Sequence, residues 1–150
     1  MELILWRHAE AHDSAPDMGR ELTGKGLKQA EKMATFLRAR LPTDTRILVS
    51  PASRTQQTAQ ALTKHFTTVD SIAPGASPQA ILDAAGWPDA DSTVLVVGHQ
   101  PALGQIAALL LANSNGCFSV KKGAIWWLSR NTKEGDYQTN LRLVIAPESV

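Results

Sequence analysis

The first apolar run of the chain, Leu3-Ile4-Leu5-Trp6, breaks off abruptly at Arg7-His8. A run of four apolar residues reads as a short strand, and the polar residues from 9 to 22, with Pro16 and Gly19 among them, read as a loop. From Thr23, a candidate N-cap, apolar residues return at Leu27, Ala30, Met33, Leu37 and Leu41. That is the spacing of one helix face, and Pro42 closes it. "RILVS" is the next strand and "SPASRTQQTAQALTKHF" the next helix. There Ser50 can act as cap, Pro51 suits the first helical position, and Thr55, Ala59, Leu62 and Phe66 mark a face. "TTVDSIA" is a weaker strand, and "SPQAILDAAG" a short helix ending in Gly86. "STVLVVGH" is a continuous β-branched run, as expected for a strand covered on both faces. "QPALGQIAALLLAN" follows as a helix with Pro101 near its first turn.

The pattern then changes. "AIWWLSR" and "YQTNLRLVIA" are strand-like and are joined by "NTKEGD", which predicts an antiparallel hairpin. Trp126 and Trp127 are expected to pack on the hairpin's two faces rather than to form a ligand cage. Strands alternating with helices predict an α/β fold, a three-layer sandwich. Its central sheet would be mostly parallel, with helices on both faces and an antiparallel C-terminal hairpin. No repeat, low-complexity run or linker interrupts the pattern, so residues 1–150 are expected to form a single domain.

Composition changes this picture little. With 43% hydrophobic and 19% charged residues, the chain is globular rather than disordered. A formal net charge of +1 gives no global attraction to nucleic acid or membrane, so an anionic ligand would have to be drawn locally. Cys117 is the single cysteine, which excludes an internal disulfide and reads as a small core or loop residue. No signal-peptide pattern opens the sequence and no apolar run is long enough to span a bilayer. The expectation is a cytoplasmic monomer.

The candidate chemistry gathers at strand ends. The first strand ends in Arg7-His8, the second leads through Ser50 and Pro51 to Arg54, and the β-branched strand "STVLVVGH" ends in Gly98-His99. In a parallel α/β sheet the carboxyl ends of the strands share one rim, where ligands bind. Arg54 and His99 also lie near helix starts, whose free N–H groups favour an anion. Four potentially cationic side chains would repel one another without a counter-charge, so the rim asks for a phosphate or a similar dianion. Taken alone, Arg54 would read as a solvated helix residue, and His12 and His65 stay as surface or core histidines. His8 and His12 have a spacing that can suit a metal, but they lie in a loop without a completing carboxylate or cysteine cluster, so no metal is expected. There is no GxGxxG and no P-loop, which weakens a nucleotide-binding reading.

Four segments carry a resemblance. "LWRHAEA" resembles the Leu-x-Arg-His-Gly-x-Ala opening of the histidine phosphatase, or phosphoglycerate-mutase-like, superfamily. "GRELTGKGLKQA" is similar to its Arg-x-Leu-Thr-x-x-Gly segment, "VSPASRTQQTA" to its Ser-x-x-x-Arg-x-x-x-Thr-Ala segment, and "VVGHQP" to its second histidine motif. They run in order from residue 3 to about 113, and the small size of the chain is similar to the SixA group of phosphohistidine phosphatases. The resemblance implies that His8 is the nucleophile and that Arg7, Arg54 and His99 form a phosphate pocket, with Arg20 binding substrate at its edge. It implies a metal-independent hydrolase without cofactor. Its partner would be a phosphorylated protein carrying phosphohistidine, or a small phosphate ester, with inorganic phosphate as product; nucleic acid and membrane are not expected partners. Two departures matter. Ala9 stands where the family has Gly. And between Phe66 and Ser92, where larger members carry a Glu that protonates the leaving alcohol, there is no Glu, only Asp70, Asp83, Asp89 and Asp91.

A phosphorus–nitrogen bond releases an imidazole far less basic than an alkoxide, so a missing acid agrees with a phosphohistidine substrate. Glu10, close to His8, is open to three readings: an acid, a solvated loop charge or a substrate contact. The alternatives are a phosphatase of small monoesters working by the same mechanism, and a non-catalytic phosphate-binding module.

Overall fold

The computed structural model describes residues 1–131 and 138–150. Six strands form one sheet: β1 (Glu2–Arg7), β2 (Arg46–Val49), β3 (Thr67–Thr68), β4 (Val94–Gly98), β5 (Ile125–Arg130) and β6 (Thr139–Ile145), in the order β3-β2-β4-β1-β5-β6. β1, β2, β3 and β4 run parallel to one another, whereas β5 pairs antiparallel with β1 and with β6. Four helices accompany them: α1 (Gly24–Arg38), α2 (Ser53–Gln60), α3 (Pro78–Ala85) and α4 (Ala102–Ala112). This is the expected α/β sandwich with its antiparallel C-terminal pair. All of the expected loop "NTKEGD" after Asn131, and Tyr137 at the start of the expected last strand, lie outside the described residues.

Alternation along β1 builds two cores. Leu3 and Leu5 join Val94, Val96 and Leu128 beneath α3 and α4, contacting Ile81, Leu103 and Ile106. Ile4 and Trp6 join Leu95, Val97 and Ile125 on the other face, with Met33, Ala34 and Leu37 of α1 and Ala59 of α2. β4 is buried along its whole length, as its unbroken apolar run requires. Each such fully buried aliphatic side chain contributes about 1.5–3 kcal/mol. Trp126 packs against the first core and Trp127 within the second, so the two tryptophans do occupy opposite faces.

Helix ends show where local chemistry moved the boundaries. Thr23 caps α1 as expected: its hydroxyl accepts from the Gly26 amide at 3.0 Å and donates to Glu10 Oε2 at 2.7 Å. Leu27 is half exposed, however, and Gly26 is buried in its place, because the helix packs close on the backbone of Glu10. α2 begins at Ser53, not at Pro51, and its N-cap position is Ala52. It also stops at Gln60, where the Arg38 guanidinium of α1 donates to the carbonyls of Ala61 and Leu62 and satisfies the helix end. The expected strand over residues 67–73 pairs only at Thr67–Thr68, then turns in a 3-10 segment that buries Ile72 against the first core.

Candidate active site

Backbone hydrogen bonds set the rim. The β1–β4 ladder continues one residue beyond β1, with His8 N donating to Gly98 O at 3.1 Å, and Ser50 N donates to Val97 O at 3.1 Å. The segments after β1 and β2 therefore hang on the end of β4, which itself leads into His99. This registers His8, Ser50 and His99 together, and the first turn of α2 adds Arg54. The His8 and His99 rings lie 5.4 Å apart between centroids, tilted by 52°. Both rings are buried, and so is Arg54.

The hydrogen bonds fix what each group presents. His8 Nδ1 lies 2.7 Å from the carbonyl of Ala9, which can only accept, so Nδ1 carries the proton and Nε2 keeps its lone pair. Ala9 N donates to Thr58 Oγ1, whose hydroxyl donates to Arg54 O, so α2 grips the segment directly behind His8. Ala9 is fully buried beside Leu22 and Ala30, and Asn113 is the one non-glycine residue with positive φ among those described. A methyl group fits here because the backbone has an ordinary conformation.

Arg7 Nη1 donates to the carbonyl of Val120 at 2.8 Å, which ties it to the segment before β5. Arg54 is held by Asp17: Nη1 donates to its carbonyl at 2.8 Å and Nη2 to its carboxylate at 3.3 Å. Asp17 also faces Arg20, whose Nη1 is 3.5 Å from the carboxylate while Nε donates to the His12 carbonyl. Arg20 thus sits on the loop side of the cluster, and its charge still reaches His8. Glu10 is engaged in the α1 cap through Thr23. The remaining Nε atoms of Arg7 and Arg54, and Nδ1 of His99, are buried with no hydrogen-bond partner. Buried donors without acceptors are costly, so the Nε–H groups of the two arginines call for an acceptor.

The electrostatics follow. Burial pushes His8 down from 6.5 to about 4, opposed by its bond to Ala9 and reinforced by the charges of Arg7, Arg54 and Arg20. Burial is the larger cause, ahead of the neighbouring arginines. His99 is pushed down to about 3 by burial first, then by His8 and Arg54. Near neutrality both rings are uncharged, so the positive potential belongs to the arginines. Paired with Arg54 and Arg20, the Asp17 carboxyl is held below the usual range.

Beside His99 opens a cavity of about 190 Å³, lined chiefly by Ile72, Ala76, Ser77, Ile81 and Gln105. Among the described residues, no ionisable side chain apart from His99 lines it. Asp70, Asp83, Asp89 and Asp91 are all outside this lining. A larger groove of about 660 Å³ lies along β3 among Arg46, His65 and Phe66, but none of the clustered arginines and histidines reaches it. Among the described residues no group of three or more His, Cys, Asp or Glu is placed to hold a metal, and no helix is long and apolar enough to cross a membrane.

The four residues expected at the rim are thus brought together, and Arg20 borders them. Sequence reasoning missed three others. Thr58 lies inside a recognised segment without a stated role, Ser50 reads as a helix cap, and Asp17 gives only the weak signal of a carboxylate three residues before Arg20.

An α/β sheet that gathers two histidines and two arginines at the carboxyl ends of its strands makes a site whose charge suits an anion. The comparisons say which kind. Residues 3–74 match the histidine phosphatase superfamily (branch 1). A phosphohistidine phosphatase SixA homolog from Haemophilus influenzae is 31% identical over 131 residues, covering 77% of this chain and 80% of that protein. Among solved structures, a candidate phosphohistidine phosphatase SixA from Nakamurella multipartitia is 28% identical with a TM-score of 0.82, covering 97% of this chain and 95% of that one. A phosphoserine phosphatase from Entamoeba histolytica, solved with phosphoserine, shares the fold at 18% identity and a TM-score of 0.71, covering 99% and 98%. The chain belongs to the histidine phosphatase superfamily, whose members are hydrolases with a histidine nucleophile.

Proposed function

We propose that this protein removes phosphate from a protein phosphohistidine through a covalent phospho-His8 intermediate. Nε2 of His8 attacks phosphorus in line as the substrate ring, protonated on its other nitrogen, departs with the bonding pair as neutral imidazole; water then attacks the phospho-His8 phosphorus, gives up a proton to solvent, and returns His8 and inorganic phosphate. Arg7 and Arg54 bind the phosphoryl oxygens and offset the charge that develops on them. His99 donates a hydrogen bond to the same group. No metal is needed, since the arginines supply the positive charge.

The observation that carries the substrate is the neutral lining of the cavity beside His99. An alkoxide leaving group would need an acid there, and a small anionic ester would need a cation for its carboxylate; neither is among the lining residues. A phosphohistidine ring already protonated on its other nitrogen needs neither, because it leaves as neutral imidazole. The test compares initial rates on a phosphohistidine protein, a phosphoserine peptide and a sugar phosphate under one set of conditions. Phosphohistidine is expected to be turned over far faster. Equal or faster cleavage of either ester would make a small phosphate monoester the natural substrate.

A further inference from the structure

Ser50 directly follows β2, fully buried, and its hydroxyl has two neighbours. Ala52 N donates to Oγ at 3.3 Å, and His99 Nε2 lies 2.7 Å from it. The Ser50 backbone is held as well: its amide donates to Val97 O, and its carbonyl accepts from Thr55 Oγ1 and Gln56 Nε2. The hydroxyl is therefore aimed at His99 by fixed surroundings.

Proton bookkeeping decides the direction of that bond. Ala52 N can only donate, so the one acceptor within reach of the Ser50 proton is His99 Nε2. If Nε2 carried the ring proton instead, the Ser50 hydroxyl would be a buried donor without an acceptor. Nδ1 would then face the anion site as an unpaired lone pair and repel a phosphoryl oxygen. With Ser50 donating, a single orphan is left: Nδ1–H, which is the buried atom without a partner. A phosphoryl oxygen completes it.

We propose that Ser50 is a positioning residue that fixes neutral His99 as the Nδ1–H tautomer, so that its donor faces the phosphoryl group. This rests on the reading of the cluster as a phosphate site. The two histidines then share one tautomer for opposite ends. In His8 a carbonyl holds the Nδ1 proton and frees Nε2 as nucleophile; in His99 a hydroxyl occupies Nε2 and leaves Nδ1–H as donor.

The test is nitrogen NMR of protein labelled at histidine, with and without inorganic phosphate, on the wild type, Ser50→Ala and Ser50→Thr. In the wild type, His99 is expected to show a protonated Nδ1 and an unprotonated Nε2, and phosphate is expected to shift Nδ1. Ser50→Ala should move His99 toward the Nε2–H form and lower kcat about tenfold, the scale of one lost hydrogen bond. Ser50→Thr keeps the hydroxyl and should restore both signals. A wild-type His99 protonated at Nε2 would overturn the proposal, whatever the substrate proves to be. So would a Ser50→Ala protein that loses activity while its His99 tautomer is unchanged. Because the tautomer is read without turnover, failure of the phosphohistidine assignment would leave this result intact and distinguishable.

Discussion

Lowering the pH from 7 to 5 should destabilise the folded protein through two residues of the site. In the unfolded chain His8 and His99 take up a proton near 6.5; in the folded protein they resist until about 4 and about 3. Between these values the unfolded state binds more protons, so stability rises with pH and falls as the solution is acidified. At pH 5 the unfolded chain is 1.5 pH units below its histidine pKa, while both folded rings remain essentially neutral. At about 1.4 kcal/mol per unit, each histidine costs the fold about 2 kcal/mol, about 4 kcal/mol together. The Asp17 carboxyl, held below its usual range, acts in the same direction but only at lower pH, so it leaves this window clear. The assay is urea denaturation at a series of pH values for the wild type and for His8→Gln/His99→Gln. The variant should lose about 4 kcal/mol less than the wild type between pH 7 and 5, and each single variant about half of that. Parallel stability profiles for wild type and double variant would refute the reasoning, since they would mean that both rings titrate normally in the fold.

Arg54→Lys should lower kcat/KM by roughly 30–100-fold, on the order of 2–3 kcal/mol, because an ammonium cannot both hold the Asp17 carbonyl and carboxylate and grip phosphate. Full activity in Arg54→Lys would reduce Arg54 to a source of positive potential. Gly26→Ala should destabilise by about 1–3 kcal/mol or more, since a Cβ there overlaps the Glu10 carbonyl, although the same change at an exposed helix site stabilises; a higher Tm in this variant would contradict that packing. Tungstate or vanadate should inhibit in competition with substrate and raise Tm, whereas EDTA should leave kcat unchanged. Loss of activity on chelation, restored by a divalent ion, would contradict an arginine-based site.

The fold was legible where pattern and period agree. The apolar runs of β1 and β4 and the Thr23 cap each have one reading, and each is found. The ends of elements were less legible, because they depend on contacts distant in sequence. α2 stops where Arg38 of another helix reaches its carbonyls, and α1 buries Gly26 rather than Leu27 because the Glu10 backbone lies against it. The rim was legible through its charged residues, which stand at strand ends in recognisable segments. Their supports were not. Ser50 before a proline and a helix reads as a cap, and only the pairing of β2 with β4 puts its hydroxyl beside His99. Asp17 lies in a polar loop where only its spacing to Arg20 sets it apart from Asp13, yet it bridges Arg54 and Arg20.

These supports explain how the site can be both buried and uncharged at its two rings. Four protonated groups in so small a space would be costly, and the fold avoids this by keeping His8 and His99 neutral and by giving Arg54 the Asp17 carboxylate. What it leaves unsatisfied is specific: Nε of Arg7, Nε of Arg54 and Nδ1 of His99. Each is a donor, given the tautomer argued for His99, and each lies on a group registered by the end of β4 or by the first turn of α2. A ligand that offered donors would leave them orphaned. A phosphoryl group offers three oxygens and two negative charges, so it satisfies the donors and the arginines together. The lone pair at His8 Nε2 has no partner in that scheme except phosphorus itself. Under the function proposed, hydrogen-bond accounting and charge balance, taken separately, ask for the same occupant.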